Sequence, residues 1–235
     1  MGAEKKAVVT IDGPSGAGKS TISRLLADRL GYTYLDTGAM YRAVGLHIRQ
    51  QGIDPDDAEA LEAGLDGLVI ELLPAVEDDV RVLLNGADVS AAIRSAEMGP
   101  VASRISAYPQ VRRKLTELQR RLAAAGGLVA EGRDMGTVVF PDAQHKFYLD
   151  ATPEERARRR CEQLRQRGET PDRQEILEQI SKRDYDDTNR MLAPLKPADD
   201  AVIVESSQLG PEAVVEFMLA NIKGFAMLGE NRPAK

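Results

Sequence analysis

Cysteine is almost missing from this chain. Cys161 is the only one in 235 residues, which excludes an intramolecular disulfide and a metal site built on several thiolates. No thiolate-stabilising motif surrounds it, so it reads as an ordinary helix residue. Histidine is nearly as rare: His47 falls within a helical stretch and His145 beside a strand, and both read as structural or solvated rather than as a catalytic base. No apolar run reaches the roughly 18 residues of a membrane helix, and Met1 to Lys6 lacks the apolar core of a secretory leader. A cytoplasmic protein with no membrane partner is therefore expected. Positive charge is not in excess either. With 31 Lys and Arg against 37 Asp and Glu the net charge is −6, which argues against a general nucleic-acid binder. Any anionic ligand must be held by local basic clusters.

What is present is organised around Gly13-Pro14-Ser15-Gly16-Ala17-Gly18-Lys19-Ser20-Thr21. The stretch fits G-x-x-x-x-G-K-S/T, the phosphate-binding loop. Its backbone N–H groups wrap phosphates, its lysine reaches the terminal ones and its hydroxyl meets Mg²⁺. The flanks agree: Ala7 to Ile11 is a β-branched run suited to a buried parallel strand, and Ser20 to Leu30 carries Ile22, Leu25, Leu26 and Leu30 at helical spacing.

Further along, Tyr32 to Leu35 reads as a second strand, and Asp36-Thr37-Gly38-Ala39-Met40-Tyr41-Arg42 as a loop leading into a helix that reaches about Gln51. In such folds ligands sit beyond the carboxyl ends of the parallel strands, which places Arg42 by the site. Asp54-Pro55-Asp56-Asp57 reads as a helix start with Asp54 as cap and Pro55 at the first helical position. The runs Gly67 to Leu73 and Asp79 to Leu84, followed by Asn85-Gly86 and Ala87 to Val89, predict a small antiparallel sheet inserted at about 67–90. Ser95 to Ala107 and Val111 to Ala124 read as helices broken at Tyr108-Pro109. Leu128 to Glu131 is a third strand running into Gly132-Arg133-Asp134-Met135-Gly136-Thr137, a loop whose charges and position suit ligand contact. Lys146 to Leu149 is a fourth strand, and Thr152 to Glu155 a capping box. The helix that follows carries Arg156, Arg158, Arg159, Arg160, Arg165 and Arg167; a nearby anion would relieve their repulsion, and a solvated face is the alternative. Asp172 to Arg190 is a long helix that puts Arg183, Asp187 and Arg190 on one face. Ala201 to Val204 is the fifth strand and Gly210 to Ile222 the closing helix, while 224–235 is expected to fray.

Strands alternating with helices argue an α/β fold, a mostly parallel five-stranded sheet covered on both faces. Around its carboxyl edge the chain delivers Lys19, Ser20, Asp36, Arg42, Arg133, Asp134 and the arginine-rich helix. Arginines beyond what one nucleotide needs suggest a second anionic ligand, and transfer between two phosphates explains them. Such catalysis is alignment plus fixed positive charge, and an acceptor phosphate is already ionised and needs no general base.

The motifs Asp12 to Thr21, Asp36 to Arg42, Gly132 to Thr137 and Lys182-Arg183-Asp184 with Asn189-Arg190 and Ala193-Pro194-Leu195 together resemble the bacterial cytidylate kinases, over about residues 7–223. The resemblance implies a P-loop NTPase fold and transfer of the ATP γ-phosphate to CMP or dCMP with Mg²⁺; a monomer is expected. It implies ATP contacts from Gly13 to Thr21 and from Arg159 in a mobile lid at about 156–168. It also implies acceptor-phosphate contacts from Thr37, Arg42, Arg133 and Arg190, ribose contacts from Arg183 and Asp187, and cytosine contacts from Ser103, Arg112 and Asp134. Lys19, Arg133, Arg190 and Arg42 would act on the transferring group. Ser20 would meet Mg²⁺, with Asp36 or Glu131 reaching it through water. Thr37 stands where the family pattern has serine, and Glu131 where it has aspartate. Residues 1–36 and 128–223 would form the core and 37–127 the monophosphate-binding region. Two alternatives remain at this stage. One is a kinase for another small acceptor such as adenylate. The other is a nucleotide switch, for which an Asn-Lys-x-Asp guanine reader would be expected, and none occurs.

Overall fold

A computed structural model describes residues 6–73, 80–95, 97–166 and 168–222. The readings made above for residues 1–5, Asp79, Arg167 and 224–235 lie outside the described residues. In chain order the elements are β1 (Val8–Asp12), α1 (Lys19–Leu30), β2 (Thr33–Asp36), α2 (Thr37–Gln50), α3 (Ala58–Leu65), β3 (Ile70–Leu73), β4 (Arg81–Leu84) and β5 (Ala87–Asp88). There follow α4 (Met98–Ile105), α5 (Pro109–Leu122), β6 (Leu128–Gly132), β7 (His145–Asp150), α6 (Pro153–Gln166), α7 (Arg173–Asn189), β8 (Val202–Glu205) and α8 (Pro211–Asn221). A 3₁₀ turn occupies Ala92–Arg94 and a π-helical stretch Met135–Val139. By internal packing the chain divides into two units, Met1–Tyr34 with Ala125–Lys235, and Leu35–Ala124.

The first unit holds a five-stranded sheet in the order β2-β6-β1-β7-β8. β1 is parallel to β6 and β7, and β7 to β8. The register pairs Asp12 with both Gly132 and Tyr148, so the three central strands end together. Side chains alternate along a strand. Val9, Ile11, Val129, Phe147 and Leu149 form one buried core with Ile22 and Leu26 of α1 and Val214, Val215, Met218 and Leu219 of α8. Thr10 and Asp12 point to the opposite face. α1 ends at Gly31, whose φ of 65° lets its N–H return to the carbonyls of Ala27 and Asp28.

The second unit packs α2 against α4 and α3 against α5, with β3, β4 and β5 as an antiparallel sheet. The inserted sheet is thus present as expected. Gly45 makes the α2–α4 contact close: a Cβ there would lie 2.6 Å from Val101 Cγ1.

Some boundaries differ from the sequence reading. α3 starts at Ala58 with Asp57 as its cap, accepting from Glu59 and Ala60. Asp54 instead closes the preceding turn, its Oδ1 accepting from Asp56 N and its carbonyl from Asp57 N. Two capping aspartates three residues apart compete, and the one nearer the apolar face wins. Pro109 does not merely break a helix but opens α5 at its first position, after an extended Tyr108. The stretch read as one helix from Ser95 is α4 alone, beginning at Met98 after the 3₁₀ turn. Only half of the capping box forms: Glu155 N donates to Thr152 Oγ1 at 3.3 Å, while Thr152 N donates to Ser207 and the Glu155 carboxylate takes Arg158 and Arg159.

Candidate active site

The loop between β1 and α1 can be built only with glycine at its critical points. At Gly13 an added Cβ would fall 2.0 Å from the Leu149 carbonyl oxygen, and Gly16 and Gly18 have φ of 81° and 95°. Lys19 is buried at the first turn of α1 and donates to the Pro14 carbonyl at 2.6 Å. Burial first, then Arg133 and Arg183, push its pKa well below the ordinary lysine value, against the pull of Glu131 and Asp12. An anion bound there would favour its charged form. Ser20 donates to Glu131 Oε1 at 2.8 Å, and the Tyr34 hydroxyl donates to the same oxygen. A hydroxyl and a carboxylate in contact suit Mg²⁺, which takes hard oxygen donors and keeps waters rather than a protein cage. Among the described residues no group of three or more His, Cys, Asp or Glu could form such a cage.

Arginines from two elements gather around one buried carboxylate. Asp187 Oδ2 accepts from Arg133 Nε at 2.9 Å and lies 4.0 Å from Arg183 Nε, while its Oδ1 lies 3.9 Å from Arg190 Nη1. Burial raises the Asp187 pKa, but Arg133, Arg183 and Arg190 outweigh it and hold the carboxyl below its ordinary value. Arg183 Nη1 donates to Ser15 Oγ at 3.2 Å, which joins the cluster to the phosphate-binding loop. Arg190 also approaches buried Asp134 at 3.6 Å and donates to the Ala193 carbonyl at 2.6 Å. Thus the structure brings Lys19, Arg133, Asp134, Arg183, Asp187 and Arg190 together within the first unit.

The arginines of α6 separate into different kinds. Arg159 donates to the carbonyls of Ala17 and Ser206 at 3.2 and 2.6 Å, reaching the phosphate-binding loop. Arg158 is half-exposed and pairs with Glu155 and Glu162, as a solvated face would. Arg156 is buried; it pairs with Asp184 at 2.6 Å and donates to the carbonyls of Ala151 and Ser15 at 2.8 and 3.1 Å. The sequence offered no sign of that role, because Arg156 looked like its neighbours.

Thr37, Arg42, Ser103 and Arg112 belong to the second unit. Asp36 caps α2 through Ala39 N at 2.8 Å and pairs with Arg42 at 3.3 Å. Gly38 leaves room for that pair, since a Cβ would lie 3.2 Å from both partners. Each Asp36 oxygen thus takes one partner within the second unit. Thr37 is buried beside Asp36 at the start of α2. Arg112 is buried, donates to the Ser106 carbonyl at 3.2 Å and lies over the Tyr41 ring at 6.0 Å. Ser106 in turn donates to the Ser103 carbonyl at 2.7 Å. His47 is bonded to the Gly64 carbonyl at 2.9 Å, a structural contact.

Known proteins resemble this one closely. The family model described as cytidylate kinase matches residues 9–224. A protein named cytidylate kinase from Pasteurella multocida (strain Pm70) is 46% identical over 93% of this chain and 96% of its own. Another of that name, from Citrifermentans bemidjiense, is 49% identical over 94% of each. A solved structure of an uncharacterized protein from Eubacterium ventriosum ATCC 27560 shares the fold, with a TM-score of 0.50 at 10% identity, covering 93% of this chain and 98% of that one. The chain belongs to the cytidylate kinase family.

Proposed function

We propose that this protein transfers the γ-phosphoryl group of ATP to CMP or dCMP, giving ADP and CDP or dCDP. The observation that carries the reading is the hydrogen bond from Arg183 to Ser15. It sets Arg183 against a loop built to hold a triphosphate, with Arg133 and Arg190 gathered beside it on Asp187. One nucleotide does not need that much positive charge, whereas two phosphates brought together do. In the transition state charge spreads over the equatorial oxygens of the transferring group, and Lys19, Arg133, Arg190 and Arg42 meet it there. The acceptor oxygen is already ionised, so no general base is required. Thr37 serves with those arginines at the acceptor phosphate, Arg183 and Asp187 at the ribose. Ser103, Arg112 and Asp134 read cytosine: its N4 amino group donates where uracil has an accepting carbonyl, so the Asp134 carboxylate favours the first and repels the second. The P-loop from Gly13 to Thr21 holds ATP, with Arg159 of α6 closing on it and excluding water. Ser20 and Glu131 would hold Mg²⁺, which when bound supplies neutralising charge across the β- and γ-phosphates. Residues 1–36 and 128–223 make the core in this reading, and 37–127 the monophosphate-binding region.

A cytoplasmic monomer completes the proposal. No helix among the described residues is long and apolar enough to cross a membrane, and light scattering reads the oligomeric state. Incubation with ATP, CMP and Mg²⁺, with products resolved by ion-exchange chromatography, tests the reaction. Equal amounts of ADP and CDP are expected; ADP without CDP would overturn it.

A further inference from the structure

Asp12 is the last residue of β1 and immediately precedes Gly13 of the phosphate-binding loop. Its side chain is buried, and each oxygen accepts a backbone N–H: Met135 N reaches Oδ1 at 2.8 Å and Gly136 N reaches Oδ2 at 2.7 Å. These amides open the π-helical stretch directly after Arg133 and Asp134. The first amides of a helix have no partner within it, so the carboxylate completes that turn. Gly136 is what allows the approach. A Cβ there would lie 3.0 Å from Thr10 Oγ1, 3.3 Å from Lys146 Cδ and 3.4 Å from Asp12 Oδ2. The other side of Asp12 has no play either, since Gly13 is wedged against the Leu149 carbonyl.

The carboxylate is held there at a cost. Burial above all, with Asp134 adding to it, pushes Asp12 up to about 6, against the two amides and Lys19. Tyr148 of β7 adjoins it through the strand register, and Asp12 is a neighbouring negative charge for that phenol. A residue chosen only for packing would not be an acid in this position.

Resting on the reaction proposed above, we infer that Asp12 is a positioning residue: its carboxylate fixes the Arg133–Asp134 loop relative to the phosphate-binding loop, and so sets the spacing of acceptor and donor. Reacting atoms must lie about 3–3.5 Å apart, and a misplacement of about 1 Å costs on the order of 100-fold in rate. Asp12→Asn keeps the size but turns an amide NH₂ toward one of the two backbone N–H groups, so one bond is lost and that end of the loop is pushed away.

The test is Asp12→Asn beside Gly136→Ala, which crowds the loop against Thr10 and Lys146 while the Asp12 carboxylate is retained. For both variants kcat is expected to fall on the order of 100-fold, and the ratio of kcat/KM for CMP over UMP about tenfold, because Asp134 rides on the loop. Affinity for an ATP analogue should stay within about threefold of the wild type, against that 100-fold loss in rate. The Met135 and Gly136 amides should exchange hydrogen faster in Asp12→Asn. The inference is overturned if Asp12→Asn keeps kcat and selectivity, or if ATP affinity falls as far as kcat. Should Asp12→Asn not fold, Gly136→Ala decides by the same criteria. A wild-type enzyme without CMP preference would defeat the proposed function instead, so the two failures are distinguishable.

Discussion

Ser20 of α1 and Glu131 of β6, 111 positions apart, are joined by a 2.8 Å hydrogen bond. The bond shows that a glutamate's longer side chain reaches the P-loop hydroxyl from β6, and the Tyr34 hydroxyl holds the same oxygen. Glu131→Gln is expected to raise the Mg²⁺ concentration for half-maximal activity by about tenfold or more, as loss of a supporting carboxylate does elsewhere. Tyr34→Phe should shift it in the same direction by less. Magnesium titrations of activity check both, and an unshifted curve for Glu131→Gln would count against the assignment.

Lys19→Ala is expected to lower kcat by about 10²–10³, measured by ADP release at saturating substrates. Burial already disfavours the Lys19 charge, so the same variant should unfold in urea at the wild-type midpoint or above it. A large loss of stability would mean that Lys19 holds the fold rather than the transferring phosphate.

Two arginines of α6 should behave oppositely. The Arg156 side chain is 4% exposed against Asp184, and Arg156→Met leaves that carboxylate without its partner, costing about 3–5 kcal/mol. The Arg158 side chain is 54% exposed, and Arg158→Ala should leave the urea midpoint close to that of the wild type, as loss of a solvated ion pair does. Urea unfolding of the two variants distinguishes the two outcomes.

What the sequence revealed follows from distance along the chain. The P-loop, the long helix α7 and the shared face of Arg183, Asp187 and Arg190 depend on neighbours within a few residues, and all were legible. The inserted sheet was legible from Asn85-Gly86. The helix start at Asp54 was misread because Asp57 is an equally good cap and propensity alone does not rank them. The contacts of Asp12 with Met135 and Gly136, of Tyr34 with Glu131 and of Arg156 with Ser15 could not be read. Each depends on the strand order β2-β6-β1-β7-β8, which brings together residues far apart in sequence and carries no local periodicity.

Asp12 also makes a prediction about pH. Its folded carboxyl titrates near about 6 rather than its ordinary 3.8, so between those values the folded state holds more protons than the unfolded one. The stability that this proton contributes is fully present below about pH 4 and is lost as pH rises through 6, a change of about 3 kcal/mol at 1.36 kcal/mol per pH unit. The difference in unfolding free energy between wild type and Asp12→Asn should therefore shift against the wild type by most of that amount between pH 4 and 7. Urea titrations at the two pH values measure it, and a difference independent of pH would contradict the raised value.

The central claim is that the arginine cluster around Asp187 and the carboxylate of Asp134 receive a cytidine monophosphate. Initial rates of ADP formation with CMP, dCMP, UMP and AMP, each under the same ATP and Mg²⁺, test it most directly. CMP and dCMP are expected to react fastest, UMP more slowly, and AMP least. AMP matching or outpacing CMP would contradict the account.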